Sequence, residues 1–126
     1  MTPQNYNTES TTDWDTDSIF DLLGDECART ILSKLSIKEM SAKELANNCN
    51  VSLPTIYRRV NALSNHGLIN EKTRIGEDGS HYNIYENNFN RMSIEAENGK
   101  IKVSVNLEDG KSSSEGIVRY PNSSGK

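Results

Sequence analysis

The chain has no long apolar run, and nothing in its 126 residues approaches the roughly 20 consecutive apolar residues of a membrane span. The segment Met1 to Asp17 lacks basic residues and any apolar stretch, the opposite of a secretory leader, so the expected location is the cytoplasm, with no membrane partner. There are only two cysteines, Cys27 and Cys49, and they lie in two separate helical patterns rather than in a paired motif. Buried reduced thiols are the simplest reading, with a disulfide or a redox switch as the alternative. The two histidines, His66 and His81, have no cysteine or carboxylate at ligand spacing, so no metal site is expected. A Gly-rich phosphate loop, a nucleophile elbow and a metal triad are all missing, which argues against an enzyme; no cofactor or small-molecule ligand is implied.

The net charge is −4, an unfavourable sum for a partner as acidic as nucleic acid. Its distribution is more informative. From Met1 to Glu26 there are seven acidic residues and no basic one. From Val51 to Ile75 Arg58, Arg59, Lys72 and Arg74 face a single acid, Glu71, for a local charge of +3. Positive charge is therefore concentrated in one part of the chain.

The length allows one compact domain with tails. Residues 1–14 read as a disordered acidic arm. Apolar residues from Ile19 to Leu35 recur at spacings of three and four, interrupted by Gly24-Asp25, and predict a short helix to about Leu23 and a second from about Asp25 to Ser36. Ser41-Ala42-Lys43-Glu44 is a capping box that opens a third helix ending at Asn48 to Asn50. Ser52 is another N-cap, followed by Pro54 in the first turn of a fourth helix that Gly67 ends. Leu53, Ile56, Val60 and Leu63 form its expected buried stripe, which turns Pro54, Thr55, Tyr57, Arg58, Asn61 and Arg59 outward.

The period then changes to two over Ile69 to Ile75 and His81 to Tyr85, a hairpin around Gly76-Glu77-Asp78-Gly79. Asn98-Gly99 marks a second hairpin with a type I′ turn. Its register sets Ala96 opposite Ile101, Ile94 opposite Val103 and Met92 opposite Val105 on an apolar face, with Glu97–Lys100 and Glu95–Lys102 pairs on the other. A two-stranded hairpin is marginal in water, so Met92, Ile94, Val103 and Val105 are expected to lie on the core or on a second subunit. The expected division is 15–86 for the first domain, 87–107 for the C-terminal hairpin and 108–126 for a flexible tail.

The expected fold is thus α+β, a winged helix-turn-helix of about four helices and a β-hairpin wing, with an additional C-terminal β-hairpin. The major groove of DNA, about 12 Å wide, admits one helix, so such a fold can present the start of its last helix to base edges while the wing reaches phosphates. The candidate DNA-binding residues are Ser52, Pro54, Thr55, Tyr57, Arg58 and Arg59 on the helix and Lys72, Arg74 and His81 on the wing. Double-stranded DNA is the expected partner. The alternative is a winged helix that serves as a protein-interaction module and does not touch DNA.

Leu22-Leu23-Gly24-Asp25, Met40-Ser41-Ala42-Lys43-Glu44-Leu45-Ala46, Ser52-Leu53-Pro54-Thr55-Ile56-Tyr57-Arg58-Arg59-Val60 and His66-Gly67-Leu68-Ile69 resemble the ArsR-like winged-helix regulators, especially the archaeal ones. The resemblance covers about Ile19 to Tyr85. It implies a transcription regulator, usually a homodimer, with Thr55, Tyr57, Arg58 and their neighbours in the groove. The metal-sensing members differ in carrying a cysteine pair on the third helix, and the chain lacks the long C-terminal helix that follows the wing in that family.

Overall fold

The computed structural model describes residues 8–10, 16–107 and 113–119. In chain order these form β1 (Thr8–Ser10), α1 (Thr16–Leu23), α2 (Glu26–Leu35), β2 (Met40–Ser41), α3 (Ala42–Cys49), α4 (Leu53–Asn65), β3 (Ile69–Ile75), β4 (His81–Asn87), β5 (Phe89–Glu97), β6 (Lys100–Leu107) and β7 (Ser113–Arg119). The chain divides into two compact units, one over Asp21–Asn88 and the other from the chain on either side of it. The fold is α+β, a winged helix-turn-helix accompanied by a C-terminal hairpin.

In the unit over Asp21–Asn88 each helix begins where a side chain can satisfy its free amides. The Asp25 carboxylate accepts from the Ala28 N–H at 2.8 Å and starts α2. Ser41 and Glu44 form the reciprocal capping box of α3, with the Ser41 N–H donating to Glu44 at 2.9 Å. Ser52 caps α4, and Pro54 sits in its first turn, where no N–H is needed. Helix α3 stops because Asn50 adopts the left-handed conformation at φ 58°, and after α4 Gly67 does so at φ 76°, a value that favours glycine.

Ile31, Leu45, Ile56, Val60, Leu63, Leu68 and Ile69 are fully buried and form the core of this unit with Ala28 and Ile84. Leu53 departs from the expected stripe. It begins α4, one turn before the core-facing Ile56, and is 38% exposed. β3 and β4 make the wing, with Ile69 opposite Asn87 and Ile75 opposite His81. A third strand, β2, pairs Met40 with Tyr85 and Ser41 with Ile84, so α3 starts directly from the sheet. Two residues are too few to carry a period, which is why this strand has no sequence signal.

In the other unit the hairpin has the expected register, Met92 to Val105, Ile94 to Val103 and Ala96 to Ile101, closed by Asn98 and Gly99 at positive φ. It is also extended within its own sheet. β6 pairs on its other side with β7, which pairs with β1, giving the order β1-β7-β6-β5. Thr8–Ser10 and Ser113–Arg119 are thus strands where composition predicts a disordered arm and a flexible tail; the rest of both segments lies outside the described residues. The physical reason is that β6 would otherwise leave a ladder of backbone groups unpaired, and the chain's own last strand fills it. Val103 and Val105, on the central strand, are buried, Met92 is half-buried and Ile94 on the edge strand β5 is 51% exposed.

Candidate nucleic-acid interface

Helix α4 presents Ser52, Pro54, Tyr57 and Arg58 to solvent, with Thr55 half-buried. Ser52 and Thr55 hydroxyls are 3.0 Å apart, and the Arg58 guanidinium donates to the Thr55 hydroxyl at 3.4 Å. The first turn is therefore ordered by its own side chains, which lowers the entropy lost when they meet a ligand. Beside it runs an open groove of about 580 Å3. One wall is Leu53 and Tyr57 of α4, the second is Ser41, Ala42 and Lys43 at the start of α3, and the third is His81, Tyr82, Asn83 and Tyr85 of the wing. Burial pushes the Tyr85 phenol above its usual range, and the charge of Glu71 adds to this. Exposed Tyr57 and Tyr82 give the groove flat apolar faces, while Lys43 supplies a cation at its rim.

The structure brings some of the expected residues together and separates others. His81 pairs with Ile75, and Tyr82 with Arg74, so by strand alternation His81 lies on the face opposite to Lys72 and Arg74. Lys72 and Arg74 share one face as anticipated, but both are held by carboxylates. Lys72 Nζ is 3.0 Å from Glu86, and Arg74 Nη2 is 3.1 Å from Glu39. The wing over Ile69–Asn87 carries Glu71, Glu77, Asp78 and Glu86 against Lys72 and Arg74, so the positive balance of Val51 to Ile75 does not extend across the whole hairpin. Lys43 is not among the residues singled out from the sequence; its only signal there is a place just inside the capping box, on the turn of α3 that faces α4.

Arg59 also differs from its expected role as an outward DNA contact. Its Nε and Nη2 donate to both carboxylate oxygens of Asp25 at 2.8 and 3.1 Å, tying α4 to the start of α2. The bond to Arg59, then that from Ala28, holds the Asp25 carboxyl below its ordinary value, and the same pairing raises Arg59. Asp25 thus joins two helices with one carboxylate. Because its folded pKa is depressed, its stabilisation is complete above the unfolded value near 4 and is lost as pH falls through the folded value. Asp25→Ala should lower stability by about 1–2 kcal/mol at neutral pH, with the difference from wild type shrinking below about pH 4. Chemical denaturation between acid and neutral pH checks this; a pH-independent difference would leave the cap geometry, not the charge, as the cause.

Among the described residues no three His, Cys, Asp or Glu side chains are placed to hold a metal ion, and no helix is long and apolar enough to cross a membrane. A search of curated proteins returned no match. Residues 19–72 match the family model described as a helix-turn-helix domain. The match takes in the latter part of α1, the whole of α2, α3 and α4 and the start of the wing, and it supports a DNA-binding regulator built on that domain.

Proposed function

We propose that the protein is a cytoplasmic transcription regulator that binds double-stranded DNA in a sequence-specific way, as a homodimer and without a cofactor. The observation that carries this reading is the start of α4, where Pro54, Tyr57 and Arg58 are exposed and Tyr57 lines an open groove rimmed by Lys43. Helix α4 enters the major groove with Arg58 aimed at a guanine edge, where an arginine makes two parallel hydrogen bonds. Lys43 and the His81 face of the wing lie along the flanking backbone. Lys72 and Arg74 reach phosphates only by leaving Glu86 and Glu39. Exposed ion pairs are worth about 0–1 kcal/mol, so they can exchange, but the carboxylates left behind repel the same phosphates.

The homodimer reading rests on the sheet of the other unit, where β5 is an edge strand whose Ile94 is half exposed. One short helix reads few base pairs, and two half-sites about one DNA turn apart multiply the specificity. Selection from a randomised duplex library should enrich a palindromic site with half-sites spaced by about 10 base pairs. Recovery of no common sequence would contradict specific readout and leave the protein-interaction reading in its place.

The two cationic sets separate in a simple comparison. Lys43→Ala should weaken binding to any duplex and reduce the logarithmic salt slope by about 0.9 for each phosphate that is no longer neutralised. Lys72→Ala with Arg74→Ala should change affinity by less than about threefold, because both cations are already compensated. Fluorescence anisotropy at several salt concentrations measures both, and a larger loss from the wing pair would reverse this ranking.

A further inference from the structure

We propose that two copies of the chain pair antiparallel along β5, about a two-fold axis at Ile94, so that their sheets join into one and Arg91 meets Glu97 of the partner subunit. The pairing rests on the homodimer reading, whose interface it assigns, and is independent of DNA binding. The first observation is a long open edge. Among the described residues β5 pairs with β6 alone, and no other backbone hydrogen bond reaches Arg91–Glu97. Every residue from Ile94 to Glu97 is exposed. Edge strands are ordinarily blunted by proline, by a bulge or by being short. From Arg91 to Glu97 there is neither proline nor glycine, and the register shift of β5 lies before that stretch, between Phe89 and Arg91.

The turn decides which amides are free. Asn98 and Gly99 at positive φ make a two-residue turn, so Glu97 and Lys100 close it as a hydrogen-bonded pair. Alternation then directs the N–H and C=O groups of Glu97, Glu95 and Ser93 to β6 and those of Ala96, Ile94 and Met92 away from it. A second strand must oppose outward groups with outward groups. When that strand is another β5, antiparallel and centred on Ile94, Ile94 meets its own copy and Met92 meets Ala96 of the partner subunit. About six main-chain hydrogen bonds then form along the edge from Arg91 to Glu97. Centring on Ser93 would instead set Glu97 opposite Phe89 of the partner subunit and run the pairing into the bulge.

Charge order selects a second copy as the partner. The polar face of β5 carries Arg91, Ser93, Glu95 and Glu97, positive at one end and negative at the other. Arg91 is exposed, stands opposite the uncharged Asn106 of β6 and makes no ion pair among the described residues. A parallel copy in register would set like charge on like. The antiparallel copy sets Arg91 opposite Glu97 of the partner subunit, and the two-fold axis makes this contact twice. On the other face it brings the exposed Ile94 side chains of the two subunits together and flanks them with Met92.

Light scattering over a concentration series of the full-length protein should report a dimer. Under mild oxidation Ile94→Cys should give a disulfide-linked dimer on a non-reducing gel, reversed by dithiothreitol, because opposite Cα atoms of a hydrogen-bonded pair lie about 5.5 Å apart. Ser93→Cys should not, because its two copies are diagonal neighbours about 7–8 Å apart. Arg91→Glu should weaken dimerisation about tenfold, and adding Glu97→Arg should restore it. A dimer in which Ile94→Cys links no more than wild type, in which Ser93→Cys links in its place, or whose affinity Arg91→Glu leaves unchanged would overturn this pairing while the homodimer reading stands. A monomeric mass at every concentration would remove both.

Discussion

Arg58→Ala lowers affinity for the selected duplex by about 1–3 kcal/mol and leaves helix content and melting temperature unchanged. The argument starts from position. Arg58 is exposed one turn into α4, and its hydrogen bond runs to Thr55 in the same turn. Nothing in the core depends on it, in contrast to Arg59, one residue on, which closes onto Asp25. The adjacent arginines therefore separate two effects. Arg58→Ala should cost binding with little stability, and Arg59→Ala should cost stability first. Anisotropy and thermal melts on the same preparations read both; an unchanged affinity in a folded Arg58→Ala protein removes it from the interface.

Val103→Asp should abolish the C-terminal sheet, whereas Ile94→Asp should preserve it and dissociate the proposed homodimer. The two residues are cross-strand partners, so their environments can be compared directly. Val103 is fully buried on β6, between β5 and β7, and a carboxylate there is desolvated at a cost of several kcal/mol. Ile94 is 51% exposed on the edge strand, where an aspartate keeps its water in a monomer but would be trapped between two subunits. Circular dichroism reports the sheet and light scattering the mass. An Ile94→Asp protein that keeps a dimeric mass would place the subunit contact elsewhere.

What can be read from the sequence is local. Asp25, Ser41 and Ser52 announce helix starts because a cap acts within three residues, and Asn98-Gly99 fixes a register because a two-residue turn leaves one choice. What cannot be read depends on which elements meet. Helical spacing turns Arg59 outward, and only folding brings Asp25, 34 residues earlier, beneath it. Alternation correctly puts Lys72 and Arg74 on one face, but which face of the wing looks toward α4 is a tertiary property. The period places Leu53 in the core, although the first turn of α4 runs past the elements that bury Ile56. The strands Thr8–Ser10 and Ser113–Arg119 carry no strong alternation, and their order comes from the ladder they complete.

The most direct test of DNA binding is an anisotropy titration of the full-length reduced protein on the duplex from upstream of its own gene and on a scrambled duplex, repeated as salt is raised. The unit over Asp21–Asn88 holds nine acidic and eight basic residues, so few phosphates can be contacted. Binding should favour the upstream duplex by at least about 1000-fold, with affinity falling linearly in log salt at a modest slope of about −2 to −6 for a dimer. Equal, weak and salt-insensitive signals on both duplexes would contradict the account.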